Sequence, residues 1–352
     1  MSIKIYTITH KPFTPPPDPM YVPLQVGRAN NNDLGFLCDN SGDSISDLNP
    51  YFSELTGIYW VWKNIYDVDY LGICHYRRYP VNSQNILFTD SELMELLDRY
   101  DIITSKMLTL PGTYYEGFSV NHHSKDLHTL ETVIREKYPQ YLGTYLQFVH
   151  SPNTYFGNIF ITSKENFEEY CTWLFDILFE VYQRTDFSGY DGYQKRLLGF
   201  LSELLQTVWI HNHNLSVYEC MIGMVGSKHE TDELKRQLSY HFRNKDYTSA
   251  KKCFMESYQK RPDILMEASD IDGELRLCMQ IISTCEFESE EYGYCILDKY
   301  NEYDELLSYF KHLNEMAYAH SNGLISSYEW ENFKKENHYT PISINIAARL
   351  FI

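Results

Sequence analysis

The stretch YLGICHYRRYP, residues 70 to 80, limits the possible folds more than any other part of the chain. Leu71, Gly72, Ile73 and Cys74 leave neither face of the strand polar, which marks a strand covered on both sides, as in a parallel sheet. It then runs into His75, Tyr76, Arg77 and Arg78, which are costly to bury without partners. In open α/β sheets ligands bind at the carboxyl ends of strands, and an arginine there can fork onto diphosphate oxygens. The competing reading is an ion pair that pins the sheet to a loop through Asp39, Asp43 or Glu54. If the strand continues, Arg77 and Arg78 point to opposite faces and only one reaches a ligand.

The elements around this strand fit an α/β sheet. IKIYTIT (3–9) alternates as a first strand, and a loop with Pro12, Pro15, Pro16, Pro17 and Pro19 follows. The turn CDNSGDSIS (38–46) precedes Asn49 and Pro50, which together signal a helix start. Leu55, Ile58, Tyr59, Trp62 and Ile65 then recur at helical spacing. SELMELLDRY predicts a helix, DIITS (101–105) a strand, and residues 111–150 an irregular, His-rich insertion over one sheet edge. PNTYFGNIFITS (152–163) returns to strand character, and helices are predicted over 164–182 and 194–207. TVWIHNHNLSVYE predicts a final strand or two. Past about residue 228 the pattern is helical, with one tetratricopeptide-like hairpin in DELKRQLSYHFRNKDYTSAKKCFMESYQKRPDIL.

A chain of 352 residues suggests two domains, and its 43% hydrophobic content supports a core. A net charge of −18 argues against a nucleic-acid partner. The 8 cysteines form no C-x-x-C pair, which predicts reduced thiols in a cytosolic protein. MSIKIYTITHKPF lacks a signal-peptide core, and no apolar run reaches the ~18 residues of a membrane span.

G-x-G-x-x-G, P-loop, Ser-elbow and H-E-x-x-H patterns are absent, which argues against the dehydrogenase, P-loop, esterase and zincin classes. Asp39, Asn40, Gly42 and Asp43 could face a ribose or base, or simply build an Asx turn into the next helix. His211 and His213 would share one face of a strand, and a third ligand would make them a metal site. His122, His123 and His128 form a weaker group. Asp191 and Glu203, on either side of Arg196, are the candidate general bases toward a hydroxyl group.

The ordered series LCDNSGDSIS, NPYFSELTGIYWVWKN, DYLGICHYRRY, YFGNIFI, EEYCTWLFDILFE and YQKRLLGFLSELL resembles a bacterial family catalogued as a domain of unknown function. Its members are typically encoded in capsular, exopolysaccharide and O-antigen clusters and are regarded as glycosyltransferases. The resemblance implies an α/β fold with a GT-A-like, mostly parallel sheet over residues 1–225; the helical domain over 226–352 is read from its own residue pattern and lies outside the resemblance. It also implies hexosyl transfer from a nucleotide sugar, a UDP-sugar first, to a saccharide acceptor, including a lipid-linked one. The positions carried over are Asp39, Asn40, Gly42 and Asp43, Glu54, Trp60 and Lys63, His75, Tyr76, Arg77 and Arg78, and Asn158, Arg196 and Glu203. Thr9, His10 and Lys11 at the end of the first strand join the donor-binding set. Leu204 stands where the family tends to have arginine, which puts that arginine's role in doubt here.

Many GT-A enzymes carry a metal-binding Asp-x-Asp where this chain has HYRR. The expectation is a leaving UDP neutralised by arginine with little or no need for a metal. The alternative is Mn2+ or Mg2+ on Asp39 or Asp43 with His75 or His213. A non-catalytic sugar-nucleotide or polysaccharide-binding assembly protein is the competing function. The expected location is the cytoplasm, including the inner membrane face, with the helical domain contacting a protein or the membrane surface.

Overall fold

The computed structural model describes residues 2–226, 229–265, 269–336 and 339–350. The chain divides into two compact units, residues 1–225 and 226–352.

The first unit is built on strands β1 (Ile3–Thr9), β2 (Tyr21–Gln25), β3 (Leu37–Cys38), β4 (Tyr70–His75), β5 (Arg78–Val81), β6 (Ile102–Ser105), β7 (Leu108–Thr109), β8 (Asn153–Thr154), β9 (Phe160–Ser163) and β10 (Val217–Met224). Eight of them form one sheet in the order β3-β2-β1-β4-β5-β10-β6-β9, and β7 pairs with β8 separately. A further β4–β9 pairing closes one half of the large sheet on itself like a small barrel. β1, β2, β3 and β4 run parallel, as do β6 and β10, whereas β5 and β9 pair antiparallel with their neighbours. The sheet is therefore mixed, with β5 and β9 running against the other six strands. A strand covered on both faces is equally apolar in either direction, so the pattern of YLGIC could not report this.

β4 is central. Leu71 and Ile73 face a core shared with Ile58 and Val61, Leu174 and Leu178, and Leu201 and Leu205. Cys74 faces the opposite core, with Leu93, Leu96 and Leu97. Gly72 is required by this crowding, because a Cβ there would sit 2.9 Å from side-chain carbons of both Ile161 and Ile5.

The helices of this unit are α1 (Asn49–Phe52), α2 (Leu55–Asn64), α3 (Asp90–Leu97), α4 (Tyr114–Asn121), α5 (Ser124–Lys137), α6 (Leu142–Val149), α7 (Lys164–Arg184) and α8 (Leu197–Asn212). The single helix predicted after Asn49 breaks at Ser53, whose φ is 52°. The insertion over 111–150 is helical, with a capping box at Thr113 starting α4, as one at Thr89 starts α3 before it. The segment TVWIHN belongs to α8 and not to a strand, which begins only at Val217. α8 is buried on almost every side, so its apolar run carries no helical periodicity.

The second unit contains α9 (His229–Arg243), α10 (Tyr247–Lys260), α11 (Glu274–Tyr292), α12 (Tyr303–Ser321), α13 (Ser327–Glu336) and α14 (Pro341–Arg349). Leu234, Leu238 and Phe242 of α9 and Ala250 and Phe254 of α10 enter one core with Leu275, Cys278, Phe310 and Ala347. Among the described residues, no helix is long and apolar enough to cross a membrane.

Candidate functional site

His75, Tyr76, Arg77 and Arg78 form a tight turn between β4 and β5, with His75 paired directly to Arg78. Arg77 and Arg78 therefore do not alternate along one continuing strand. Opposed residues of an antiparallel pair present their side chains on the same face, so His75 and Arg78 lie side by side. Tyr76 and Arg77 occupy the corner, with the Arg77 guanidinium 5.4 Å from the Tyr76 ring centre. Tyr76 also meets His10 at 5.6 Å and Phe13 at 5.9 Å, and Phe13 meets Phe36 at 5.4 Å. This aromatic group thus edges the basic turn at the carboxyl ends of β1 and β4.

A second turn, at Gly157 and Asn158 before β9, locks onto the first. The His75 Nε2–H donates to the Gly157 carbonyl at 2.6 Å, which fixes the histidine tautomer because a carbonyl can only accept. The Gly157 N–H donates to Glu203 Oε1 at 2.8 Å. Asn158 Nδ2 donates to Glu54 Oε1 and to Ser202 Oγ, each at 2.8 Å. Gly157 has φ 94° and Asn158 φ 48°, so two left-handed residues sit beside the left-handed Ser53 that introduces Glu54. At the non-glycine positions, Ser53 and Asn158, such conformations cost about 1–3 kcal/mol each and persist only where the surroundings hold them, whereas Gly157 adopts its φ freely. A Cβ on Gly157 would lie 3.1 Å from Arg78 Nη1. Arg196 Nε donates to Ser53 Oγ at 3.2 Å.

These contacts bring Glu54, His75, Arg78, Asn158, Arg196 and Glu203 into one cluster. Glu54, Arg78 and Glu203 retain some solvent contact, whereas His75 is 9% exposed and Asn158 is fully enclosed. Burial, and then the charge of Glu54, push the Glu203 carboxyl up to about 8, against the pull of Arg78 and the Gly157 N–H. Burial, and then Arg78, push His75 down to about 4, against Glu54. Burial alone would raise Glu54 too, but His75, Arg196 and Asn158 outweigh it and hold its carboxyl below the ordinary value. Burial lowers Arg78, opposed by Glu203 and Glu54, yet a guanidinium stays charged. At neutral pH the cluster therefore holds one charged carboxylate, one largely protonated carboxyl, a neutral imidazole and the guanidiniums of Arg78 and Arg196, with Arg77 at its edge. It is a local positive pole in a chain of net charge −18.

The turn after β3 is tied differently. The enclosed Asp39 carboxylate accepts from Gly27 N (2.8 Å), Arg28 N (3.1 Å), Ser46 Oγ (2.5 Å) and Thr56 Oγ1 (2.7 Å). These four bonds fill its acceptor positions, so Asp39 anchors the loop after β2 to α2. Asp43 accepts from Tyr59 OH at 2.9 Å, and Trp60 Nε1 donates to the Ser41 carbonyl at 2.8 Å. Gly42, at φ 61°, passes where a Cβ would overlap Asn64. Asn40 is exposed, and Lys63 Nζ lies 3.4 Å from the Trp62 ring centre. The enclosed Thr9 hydroxyl donates to the Lys11 carbonyl at 2.6 Å.

Asp191 is exposed and accepts from Tyr193 N and Gln194 N, both at 2.8 Å, which caps the short turn over Gln194–Arg196. The geometry thus gathers Glu203 into the cluster and leaves Asp191 with a capping role. His211 and His213 do not share a strand face: His211 Nδ1 donates to the Thr207 carbonyl at 2.9 Å, and His213 Nε2 is hydrogen-bonded to Tyr141 OH at 2.6 Å. Among the described residues, no three His, Cys, Asp or Glu side chains converge as metal ligands. Asp39, Asp43, His75 and His213 therefore offer no ready-made donor set. Ser53, Gly157 and Ser202 escaped the sequence reading. The F-G-N triplet was the one available hint, since Gly and Asn both tolerate left-handed backbone.

The model of a family described as "Domain of unknown function (DUF4422)" matches residues 4–214. The chain belongs to this family. The matched segment contains every residue of the ionic cluster and both turns that hold it. Among solved structures the chain is similar to the apo form of WbbM, a bifunctional glycosyltransferase, with 27% identity and a TM-score of 0.60. The similarity covers 64% of this chain and 46% of WbbM, so the chain spans less than half of that larger enzyme. No curated protein matches the chain significantly.

Proposed function

We propose that the chain is a glycosyltransferase that moves a sugar from a nucleotide-sugar donor, a UDP-sugar first, to a hydroxyl of a saccharide acceptor in polysaccharide assembly. The observation that carries this reading is the Glu54–His75–Arg78–Glu203 cluster at the carboxyl ends of β1 and β4, in a chain similar to a bifunctional glycosyltransferase. Arg78, with Arg77 beside it, takes the donor diphosphate and neutralises the charge that grows on it as the glycosidic bond breaks. The neutral His75 orients this turn through Gly157. Thr9, His10 and Lys11, with the rings of Phe13, Phe36 and Tyr76, border the nucleoside. Glu203 in its ionised form accepts the acceptor's hydroxyl proton, a form that becomes more populated as pH rises toward 8. Glu54, held ionised, balances the guanidiniums.

The described residues do not fit a protein-held divalent cation, because Asp39 already accepts four hydrogen bonds and no other donor set converges. The test is UDP release from a panel of UDP-sugars, with and without EDTA. Slow UDP release that persists in EDTA is expected. Donor binding with no release from any panel member would favour an assembly protein, and activity lost to EDTA but restored by Mn2+ would refute arginine as the sole counter-charge.

A further inference from the structure

A second aromatic group touches the ionic cluster through different residues and has no part in the donor scheme. The His122 and Tyr193 rings lie nearly parallel, 5.2 Å apart with a 17° tilt. Phe200 packs 4.4 Å from His122 and 5.2 Å from Tyr193, and Phe118 closes the back of His122 at 4.7 Å. The Arg196 guanidinium stands 5.5 Å from the Phe200 ring centre while its Nε reaches Ser53 beside Glu54. Phe200 and Glu203 are three residues apart on α8, the spacing that puts two side chains on one helix face. The group thus adjoins the carboxyl that handles the acceptor proton. His122 is only 8% exposed and its Nδ1 has no protein hydrogen-bond partner, so it serves as a packed backing ring for Tyr193 and Phe200, with Arg196 and Asp191 close enough to act on its charge.

We propose that Tyr193 and Phe200, backed by the buried His122 and with Arg196 at their edge, form the subsite for a pyranose ring of the acceptor saccharide; this rests on the glycosyltransferase reading above. A pyranose presents an apolar C–H face that stacks on aromatic rings and a rim of hydroxyls that both donate and accept. The rings of Tyr193 and Phe200 suit the face. The Arg196 N–H groups suit the rim. A nucleobase also stacks on aromatic rings, but the group around Tyr76 lies by the basic turn where the diphosphate docks, and that assigns the base there.

The experiment is saturation-transfer NMR on the full chain with bound UDP, using methyl glycosides of glucose, galactose, mannose and N-acetylglucosamine as probes. At least one glycoside should bind the wild-type chain. Tyr193→Ala should weaken it about tenfold, the loss of one good contact, and Tyr193→Phe should restore it, because the ring and not the hydroxyl stacks. UDP affinity measured on each variant reports whether the ionic cluster is intact. If no glycoside binds while UDP does, or if Tyr193→Ala binds the glycoside as well as wild type, the subsite is wrong and the donor scheme stands. If UDP and a glycoside compete, the aromatic group belongs to the donor and the proposal is overturned. If UDP itself does not bind the wild-type chain, the underlying glycosyltransferase reading fails first.

Discussion

Asp39 gives the sharpest separation between a residue that builds the site and one that contacts its ligand. Replacing it with alanine strips an acceptor from four donors, the Gly27 and Arg28 amides and the Ser46 and Thr56 hydroxyls, at an enclosed position. A buried donor left unmet costs about 1–3 kcal/mol, and neighbouring losses do not add fully, so Asp39→Ala should cost about 4–6 kcal/mol. Asp39→Asn keeps one acceptor oxygen but turns an NH2 toward the other pair of donors, and about half of that loss is expected. In a unit of 225 residues each kcal/mol shifts Tm by roughly 2–4 °C, so the alanine variant should melt roughly 10–20 °C below wild type. Trp60, Trp62, Trp173 and Trp209 lie in this unit and Trp330 in the other, so tryptophan fluorescence follows the relevant transition. UDP affinity measured well below the melting range should change little. A variant that melts within about 2 °C of wild type but loses donor binding would refute this account and make Asp39 a ligand contact.

Other consequences are as direct. Glu203 has a folded value of about 8 against an ordinary 4.5, so the folded state holds its proton more tightly. Its contribution to stability is complete below about 4.5 and is lost as pH rises toward 8, while donor turnover rises over the same range. Unfolding and pH–rate profiles of Glu203→Gln should lose both slopes, and retention of the rate limb would remove Glu203 as the base. Gly157→Ala forces a Cβ into a φ of 94° and to 3.1 Å from Arg78 Nη1, so UDP affinity should drop severalfold with a loss of about 1–3 kcal/mol in stability. Unchanged UDP titrations in that variant would detach Arg78 from the diphosphate. Gly72→Ala overpacks Ile5 and Ile161 inside the sheet and should cost about 1–3 kcal/mol by denaturant unfolding. A neutral outcome would mean that β4 is not enclosed as described.

What the sequence revealed, and what it hid, follows from what each pattern encodes. An apolar run on both faces of Leu71–Cys74 requires cover on both sides, and β4 has it. The same run carries no information on strand direction, so the antiparallel β5 and β9 could not be read from it. α8 lacks an exposed face, and without a polar stripe TVWIHN resembles a buried strand as much as a helix. The Asp-rich turn was ambiguous in sequence because Asx residues serve ligands and loops with the same atoms. Only the four donors around Asp39 show what that carboxylate does. Asn158 came from a resemblance alone, and no spacing joins Glu54, Asn158 and Glu203, since 104 residues separate Glu54 from Asn158 in the chain. Their meeting depends on left-handed backbone at Ser53, Gly157 and Asn158, which no periodicity announces.

The central claim is that the turn from His75 to Arg78 is the diphosphate site. A crystal structure of the chain with UDP tests it most directly. The account predicts diphosphate oxygens within hydrogen-bonding distance of the Arg78 or Arg77 guanidinium, with the uracil among Thr9, His10 and Tyr76. UDP bound away from all of these residues, with Arg78 still facing Glu54 and Glu203 alone, would contradict it and leave HYRR as a structural clasp.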